Sequence, residues 1–191
     1  MRALEFAVID TETTGLSPYK GAKLIEVAGM VVDEAWTIRE DKAFHSTINP
    51  GVPIPIFITR LTGISNRMVK DAPPAEDVLP AFFRFLSGRI LVIQNAPFDL
   101  SFLNYYAEQL GLPKLLNPVV DTILLSRKLF RGRHNLDLIL ARLNILAEGR
   151  HRALGDVILT AKAFVKMAAM IGEEEVIKMA KRRAFHRKPS L

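Results

Sequence analysis

The stretch LEFAVIDTETTG, residues 4–15, decides the fold. Its apolar and polar residues alternate with a period of two, which predicts a β-strand over Leu4–Glu12 that ends before Gly15. One face of this strand carries two apolar side chains followed by two acids: Phe6, Val8, Asp10 and Glu12. Asp10 and Glu12 therefore leave the strand on its core-facing side, where two like charges repel unless a cation lies between them.

The rest of the chain predicts four more strands and several helices. The strands are expected at Lys23–Val32, around Phe44–Ile48, at Arg89–Asn95 and near Pro118–Asp121. The helices are expected from Pro73 to about Leu86, from Pro97 to Gly111, near Thr122–Phe130, at Asn135–Leu143, at Ala153–Ile171 and at Glu173–Arg183. An antiparallel meander, followed by helices interleaved with two more strands, predicts an α/β fold: a five-stranded mixed sheet flanked by helices on both faces.

Length and composition indicate one globular domain. The chain has 191 residues, of which 49% are hydrophobic and 24% are charged, as in ordinary folded domains. Since it has no cysteine, thiol nucleophiles, thiolate metal sites and disulfides are excluded. The chain starts with a strand pattern rather than a signal peptide and has no apolar run of about 18 residues, so we expect a cytoplasmic protein without a membrane segment.

Positive charge is concentrated in two segments. The formal net charge is +6, and residues 178–191 alone hold six basic residues and no acid. We therefore expect a domain over residues 1–177 and a basic C-terminal tail over residues 178–191. Within the domain, residues 127–152 carry seven arginines and lysines against Asp137 and Glu148. Either segment could attract a polyanion, although charge alone is more typical of a solvated surface and a frayed terminus.

Asp99 is an acid on the inward face of a predicted helix. It precedes Leu103, Tyr106 and Leu110 by four, seven and eleven residues, a spacing that places all four on one side of a helix. An aspartate in the first turn also binds free backbone N–H groups and the positive end of the helix dipole. The position alone therefore leaves a capping role and a functional role open.

Asp156 and His151 lie near the start of the longest predicted helix. Asp156 shares a helical face with small or apolar residues, namely Ala153, Thr160, Ala163 and Met167. An inward carboxylate is costly unless a cation balances it. His151 is five residues earlier, about 140° around a helix, so both can serve one site only if His151 precedes the helix on a loop. A loop histidine suits general-base chemistry because imidazole titrates near neutral pH.

Together these residues indicate a metal-dependent phosphodiester chemistry. Four inward carboxylates, from Asp10, Glu12, Asp99 and Asp156, would form an oxygen-rich site for Mg²⁺ or Mn²⁺. Two such ions can activate a water and stabilise the leaving oxygen of a phosphodiester. The basic segment would attract the phosphate backbone of a nucleic acid.

Three motifs resemble those of the DEDDh 3′–5′ exonucleases: VIDTETTG at residues 8–15, NAPFD at residues 95–99 and HRALGD at residues 151–156. The segment ITRLTGIS at residues 58–65 is also similar, particularly to the epsilon subunit of bacterial DNA polymerase III and to the exonuclease domain of C-family polymerases. The resemblance covers about residues 4–170. It implies a ribonuclease H-like fold and removal of nucleoside 5′-monophosphates from the 3′ ends of single-stranded DNA, in proofreading or repair, with a DNA polymerase as a partner.

The resemblance also implies roles for individual residues. Two divalent cations, Mg²⁺ or Mn²⁺, would be held by Asp10, Glu12, Asp99 and Asp156, with Asp99 acting through water. His151 would be the general base for the attacking water. The terminal nucleotide would be held by Thr13, Leu16, Asn95 and Phe98.

Some features depart from the family pattern. Gln94 stands where the family commonly has histidine before the asparagine of the second motif, so we expect altered support of the site rather than lost activity. The tail is shorter than the tether of the epsilon subunits, and Gln109–Leu112 resembles a sliding-clamp peptide only weakly. Two alternatives stay open: the same chemistry on RNA, chosen by contacts to the 2′-hydroxyl, and a non-catalytic nucleic-acid-binding module.

Overall fold

The computed structural model describes residues 4–147 and 151–185, with side chains described as far as Ala180. Five strands form one sheet: β1 (Phe6–Thr13), β2 (Leu24–Val32), β3 (Ile38–Thr47), β4 (Ile90–Ile93) and β5 (Val119–Asp121). Within the described residues, eight α-helices accompany them: α1 (Ile56–Thr62), α2 (Asn66–Val69), α3 (Ala75–Leu86), α4 (Ala96–Leu110), α5 (Thr122–Leu129), α6 (Leu136–Arg142), α7 (Ala153–Ile171) and α8 (Glu173–Phe185).

The sheet is mixed and has the order β3-β2-β1-β4-β5. Strands β1, β2 and β3 pair antiparallel, as the predicted meander requires, whereas β4 and β5 run parallel to β1. Parallel neighbours need a crossover connection, and α4 provides the one between β4 and β5. The central strand β1 is therefore paired along both edges.

Each face of β1 contributes to a separate hydrophobic core. Phe6 and Val8 pack in a core formed with α5, α6, α7 and α8, while Ala7 and Ile9 pack in a second core formed with α3 and α4. A third, smaller cluster joins α1 and α2 to Ile25 of β2. Helices thus cover both faces of the five-stranded sheet, as predicted.

Two predictions about local structure were wrong. Strand β3 begins at Ile38 rather than near Phe44, because an edge strand with exposed residues on both faces shows no apolar alternation. Helices α1 and α2 occupy a region in which no helix was expected; α1 is short and leaves Ile56 and Phe57 exposed, so it lacks a clear apolar stripe.

The C-terminal segment only partly matches its expected description. The boundary expected at residue 178 lies inside α8, where Ala180 is fully buried in the first core. Residues 186–191 of the expected basic tail lie outside the described residues. Within the described part of the chain, every helix is too short or too polar to cross a membrane.

Candidate active site

Three carboxylates meet where α7 crosses the end of β1. Strand β1 places Asp10 and Glu12 on one face, and α7, which packs against β1 and β2, adds Asp156 from its first turn. One carboxylate oxygen from each residue lies within 4.8 Å of one from each of the others. Two acids of a strand and one acid of a distant helix thus lie together in the structure.

This donor set fits hard divalent cations. All three groups offer carboxylate oxygen, the ligand type that Mg²⁺ and Mn²⁺ prefer, and separations below 4.8 Å allow the oxygens to surround one ion. Like charges this close oppose one another unless a cation balances them. The acidic cluster therefore supports a divalent metal site; it does not distinguish Mg²⁺ from Mn²⁺.

Asp99 is not part of this cluster and is hydrogen-bonded to Thr11, the strand residue between the two acids. Its Oδ1 accepts a hydrogen bond from the Thr11 hydroxyl at 2.8 Å, and the residue is buried. Burial raises the pKa of Asp99 to about 7; the bond from Thr11 opposes that rise, and nearby Asp121 adds to it. The structure thus gathers three of the four predicted carboxylates directly, and the direct or water-mediated role of Asp99 stays a prediction.

His151 immediately precedes the helix that carries Asp156. It is exposed, and its backbone N–H donates to Asp156 Oδ1 at 3.3 Å. Its φ of 67° lies in the left-handed region, which non-glycine residues seldom adopt. As predicted, His151 lies before α7 rather than within it; its role as general base stays a prediction.

An open groove of about 620 Å³ extends from the acidic cluster. Its lining includes two of the clustered acids and three basic residues: Asp10, Asp156, Arg127, Arg133 and His134. Both arginines belong to the basic segment that the sequence marked as a binding surface for a polyanion. Carboxylates and guanidinium groups in one groove are an arrangement suited to a phosphodiester chain.

Gln94 braces one wall of this groove. Its side-chain amide donates to the backbone carbonyl of His134 at 2.9 Å, and its side-chain oxygen accepts from the Thr122 hydroxyl. The His134 ring in turn lies 2.8 Å from Ser126 Oγ. Gln94 therefore ties the end of β4 to the start of α5 and to the loop that carries Arg133.

The four residues expected at the terminal nucleotide lie in different settings. Asn95 lines the groove and is the N-cap residue of α4, with a left-handed φ of 62°. Leu16 is 87% exposed. Phe98 is half-buried against Phe102, with ring centroids 5.3 Å apart. Thr13 is buried, and its hydroxyl donates to the Gly15 carbonyl at 2.6 Å, so contact with a nucleotide would use its oxygen as an acceptor. Their substrate contacts stay predictions.

Sequence reasoning missed a charged network beside the acids. Glu26 of β2 is fully buried, pairs with Arg152 and His45, and accepts from the backbone N–H of Ala153. Burial by itself raises the pKa of Glu26, but these hydrogen bonds together hold it below its ordinary value. The available signal was a lone acid in the otherwise apolar strand LIEVAGMVV.

The family model for exonucleases matches residues 7–164. The chain belongs to the exonuclease family. That span includes the acidic cluster, His151 and the groove, and the match confirms the predicted enzyme class.

Two relatives connect this exonuclease chain to bacterial DNA polymerase III. It is 41% identical over 171 residues to the PolC-type DNA polymerase III of Caldanaerobacter subterraneus, covering 88% of this chain and 12% of that protein. It is 34% identical over 187 residues to the DNA polymerase III subunit epsilon of Rickettsia felis, covering 94% of this chain and 80% of that protein. The chain thus spans a small part of the first relative and most of the second, and the predicted resemblance is confirmed.

Solved structures confirm the fold. Exonuclease X, in complex with 5′-overhanging duplex DNA, superposes with a TM-score of 0.72 at 23% identity, covering 92% of this chain and 99% of that one. The nuclease domain of 3′hExo, a DEDDh family member bound to rAMP, superposes with a TM-score of 0.76 at 20% identity, covering 88% and 93%. These likenesses support the five-stranded, ribonuclease H-like architecture.

Proposed function

We propose that this chain is a metal-dependent 3′–5′ exonuclease that releases nucleoside 5′-monophosphates from the 3′ ends of single-stranded DNA. The observation that carries the proposal is the group of Asp10, Glu12 and Asp156 oxygens within 4.8 Å of one another. The groove that joins these acids to Arg127 and Arg133 supports a nucleic-acid strand as the substrate.

Different residues of the chain would bind the metal ions and transfer the proton during hydrolysis. Asp10, Glu12 and Asp156, with Asp99, would hold two divalent cations, Mg²⁺ or Mn²⁺. Bound there, such ions supply charge stabilisation and lower the pKa of coordinated water. His151 accepts the proton of the attacking water on its ring. A bond forms from the water oxygen to phosphorus, and the bond from phosphorus to the 3′ oxygen of the shortened strand breaks; that oxygen then gains a proton.

Alanine substitution of the acids tests the metal-binding roles. Asp10→Ala and Asp156→Ala should each abolish hydrolysis of a 5′-labelled oligonucleotide in Mn²⁺, while circular dichroism and the melting temperature show a folded protein. Asp71→Ala, which removes an exposed acid elsewhere, should cleave like the wild type, and a chelator should stop both. Substantial cleavage by a well-folded Asp10→Ala protein would contradict the proposal.

His151→Ala tests the general base separately. We expect a large fall in kcat with Mn²⁺ affinity retained, because the imidazole moves a proton and is not one of the proposed ligands. Lost Mn²⁺ affinity with an unchanged pH–rate profile would show instead that His151 serves the metal site.

RNA is the second candidate substrate. It is supported by a structural neighbour, the nuclease domain of 3′hExo, which was solved bound to rAMP. Digestion of matched DNA and RNA oligonucleotides with free 3′ ends, under identical Mn²⁺, would decide between them. Faster release from RNA would favour the exoribonuclease, whereas no release from either would favour the non-catalytic binding module.

A polymerase partner is a further part of this proposal. It is supported by the names of the relatives, since both the PolC-type polymerase and the epsilon subunit belong to DNA polymerase III. Co-elution of the chain with a C-family polymerase in gel filtration would support proofreading, and separate elution at micromolar concentrations would favour an enzyme that acts alone. The expected cytoplasmic location also stays a prediction.

A further inference from the structure

Glu26 is a fully buried acid whose two carboxylate oxygens are shared among four donors. Arg152 Nη2 lies 2.6 Å from Oε1, and Arg152 Nε lies 3.1 and 3.2 Å from the two oxygens. His45 Nε2 lies 2.8 Å from Oε1, and the backbone N–H of Ala153 donates to Oε2 at 2.8 Å. A bidentate guanidinium and a backbone N–H fix both the position and the plane of a carboxylate.

These contacts join the middle of the sheet to the start of α7. Arg152 is the N-cap residue of α7, and Ala153 is its first residue. The Arg152 side chain makes no capping hydrogen bond to this helix. The carboxylate of Glu26, 127 residues before Ala153, accepts the N–H of Ala153. In the antiparallel register of β1 and β2, Glu26 lies directly opposite Glu12. The network around Glu26 is therefore beside the acidic cluster.

The same short segment carries two groups of the proposed reaction. His151 directly precedes Arg152, and Asp156 lies one turn into α7. The left-handed backbone of His151 persists only where surrounding contacts hold it. On one side it is held by its own bond to Asp156, and on the other by the attachment of Arg152 to Glu26.

We propose that Glu26 and Arg152 are positioning residues: their buried ion pair fixes the first turn of α7 and thereby the direction of the His151 side chain at the acidic cluster. The inference rests on the proposed function for its effect on turnover. It predicts that Arg152 acts through His151, rather than by binding phosphate or by stabilising the fold as a whole.

The first experiment measures position without requiring activity. Hydrogen exchange of backbone amides, followed by NMR or mass spectrometry, should show exchange at residues 151–157 at least tenfold faster in Arg152→Gln than in the wild type. Exchange in β1 should be unchanged. Arg39→Gln is the matched control, because Arg39 also forms ion pairs, has a similar side-chain exposure of 36% against 38%, and lies on β3. Unchanged exchange at residues 151–157 would overturn the inference.

The second experiment is a double-mutant cycle on a DNA oligonucleotide in saturating Mn²⁺. Arg152→Gln should lower kcat by about 10- to 100-fold with KM within about threefold, the size of effect typical of residues that orient an active group. In a His151→Ala background the same change should lower kcat by less than about threefold, since its target is already absent. Arg152→Lys, which keeps the charge but loses the bidentate contact, should recover part of the rate.

The outcomes separate this inference from the proposed function. An equal loss of kcat in both backgrounds, or a raised KM with unchanged kcat, would show that Arg152 acts directly on substrate and would overturn the inference. Full activity of His151→Ala would contradict the general base in the proposed function, while the exchange experiment would still decide whether Arg152 fixes this segment. If Arg152→Gln folds poorly, Glu26→Gln combined with it removes the unpaired buried charge, and the same exchange comparison applies.

Discussion

Glu26 and Asp99 are both buried carboxylates near the end of β1, yet their environments differ. Glu26 has an arginine, a histidine and a backbone N–H around it, and its pKa is held below the ordinary value despite burial. Asp99 accepts from the Thr11 hydroxyl, and burial raises its pKa to about 7. Among the described residues, no lysine, arginine or histidine forms an ion pair with Asp99.

The difference shows which of the two buried carboxylates has its negative charge balanced by the protein itself. Glu26 keeps its negative charge because the protein supplies the positive one, as expected of a structural ion pair. Asp99 carries the cost of burial with a neutral partner only, so its ionised form would be stabilised by a cation brought from solution. We thus propose Asp99 as a metal ligand in the reaction and Glu26 as a residue that positions the start of α7.

Of the substitutions at Asp99 and Glu26, the replacement of Asp99 should have the largest effect on turnover. Asp99→Asn should lower kcat in Mn²⁺ by about a thousandfold, or roughly 4 kcal/mol of transition-state stabilisation, because an amide balances less metal charge than a carboxylate. Turnover of a labelled oligonucleotide measures it, with Asp71→Asn as the control. Activity within about tenfold of the wild type would remove Asp99 from the metal site.

Glu26→Ala should lower the stability of the folded protein more than a substitution at an exposed acid does. We expect the free energy of unfolding to fall by about 3 kcal/mol, because Arg152 and the N–H of Ala153 lose their acceptor. Urea denaturation measures this, and Glu40→Ala, at an exposed acid of β3, should change it by less than about 0.5 kcal/mol. A loss below about 1 kcal/mol would show that the Glu26 network contributes little to stability.

The raised pKa of Asp99 predicts a loss of stability as pH rises. Since folded Asp99 stays protonated up to about pH 7 while the unfolded chain ionises near pH 4, this group favours folding at low pH and loses that contribution between about pH 4 and 7. In metal-free buffer, Asp99→Asn should flatten that decline by about 4 kcal/mol, because each pH unit between the two pKa values corresponds to about 1.4 kcal/mol. An identical pH dependence in variant and wild type would contradict the raised pKa.

The lowered pKa of Glu26 predicts the opposite trend of stability with pH. Its contribution to stability is fully present above the unfolded pKa of about 4.5 and is lost as pH falls below it towards the folded pKa. Glu26→Gln should make the unfolding free energy less sensitive to acid between pH 5 and 3. Equal acid sensitivity in the two proteins would show that another group is responsible.

The parts of the fold that the sequence predicted are those with one buried and one polar side. Alternation identified β1, and helical periodicity placed α7 at Ala153–Ile171, the bounds observed in the structure. Strand β3 was shortened in the prediction because its first half, IREDKA, is largely exposed at the edge of the sheet. Exposed segments of this kind carry no periodic signal of burial.

The candidate site was predictable where a polar residue broke an apolar pattern. Asp10, Glu12 and Asp156 were identified in this way, and the structure brings them together. Spacing along α4 indicated that Asp99 faces inward but could not indicate that Thr11 would hold it. The role of Glu26 depends on Arg152, a partner 126 residues away, and such a pairing is visible only in three dimensions.

Strand β1 leaves almost no room for a change of length. It has a neighbouring strand on each edge, with eight paired positions on β2 and four on β4. Its successive side chains point alternately into the first and the second core. Because a one-residue slip would exchange the two faces, deleting a single residue before Asp10 would bury that acid among α3 and α4 and turn Thr11 towards α7. Insertions are therefore expected to be tolerated in the exposed loops of this enzyme and to inactivate it in this strand.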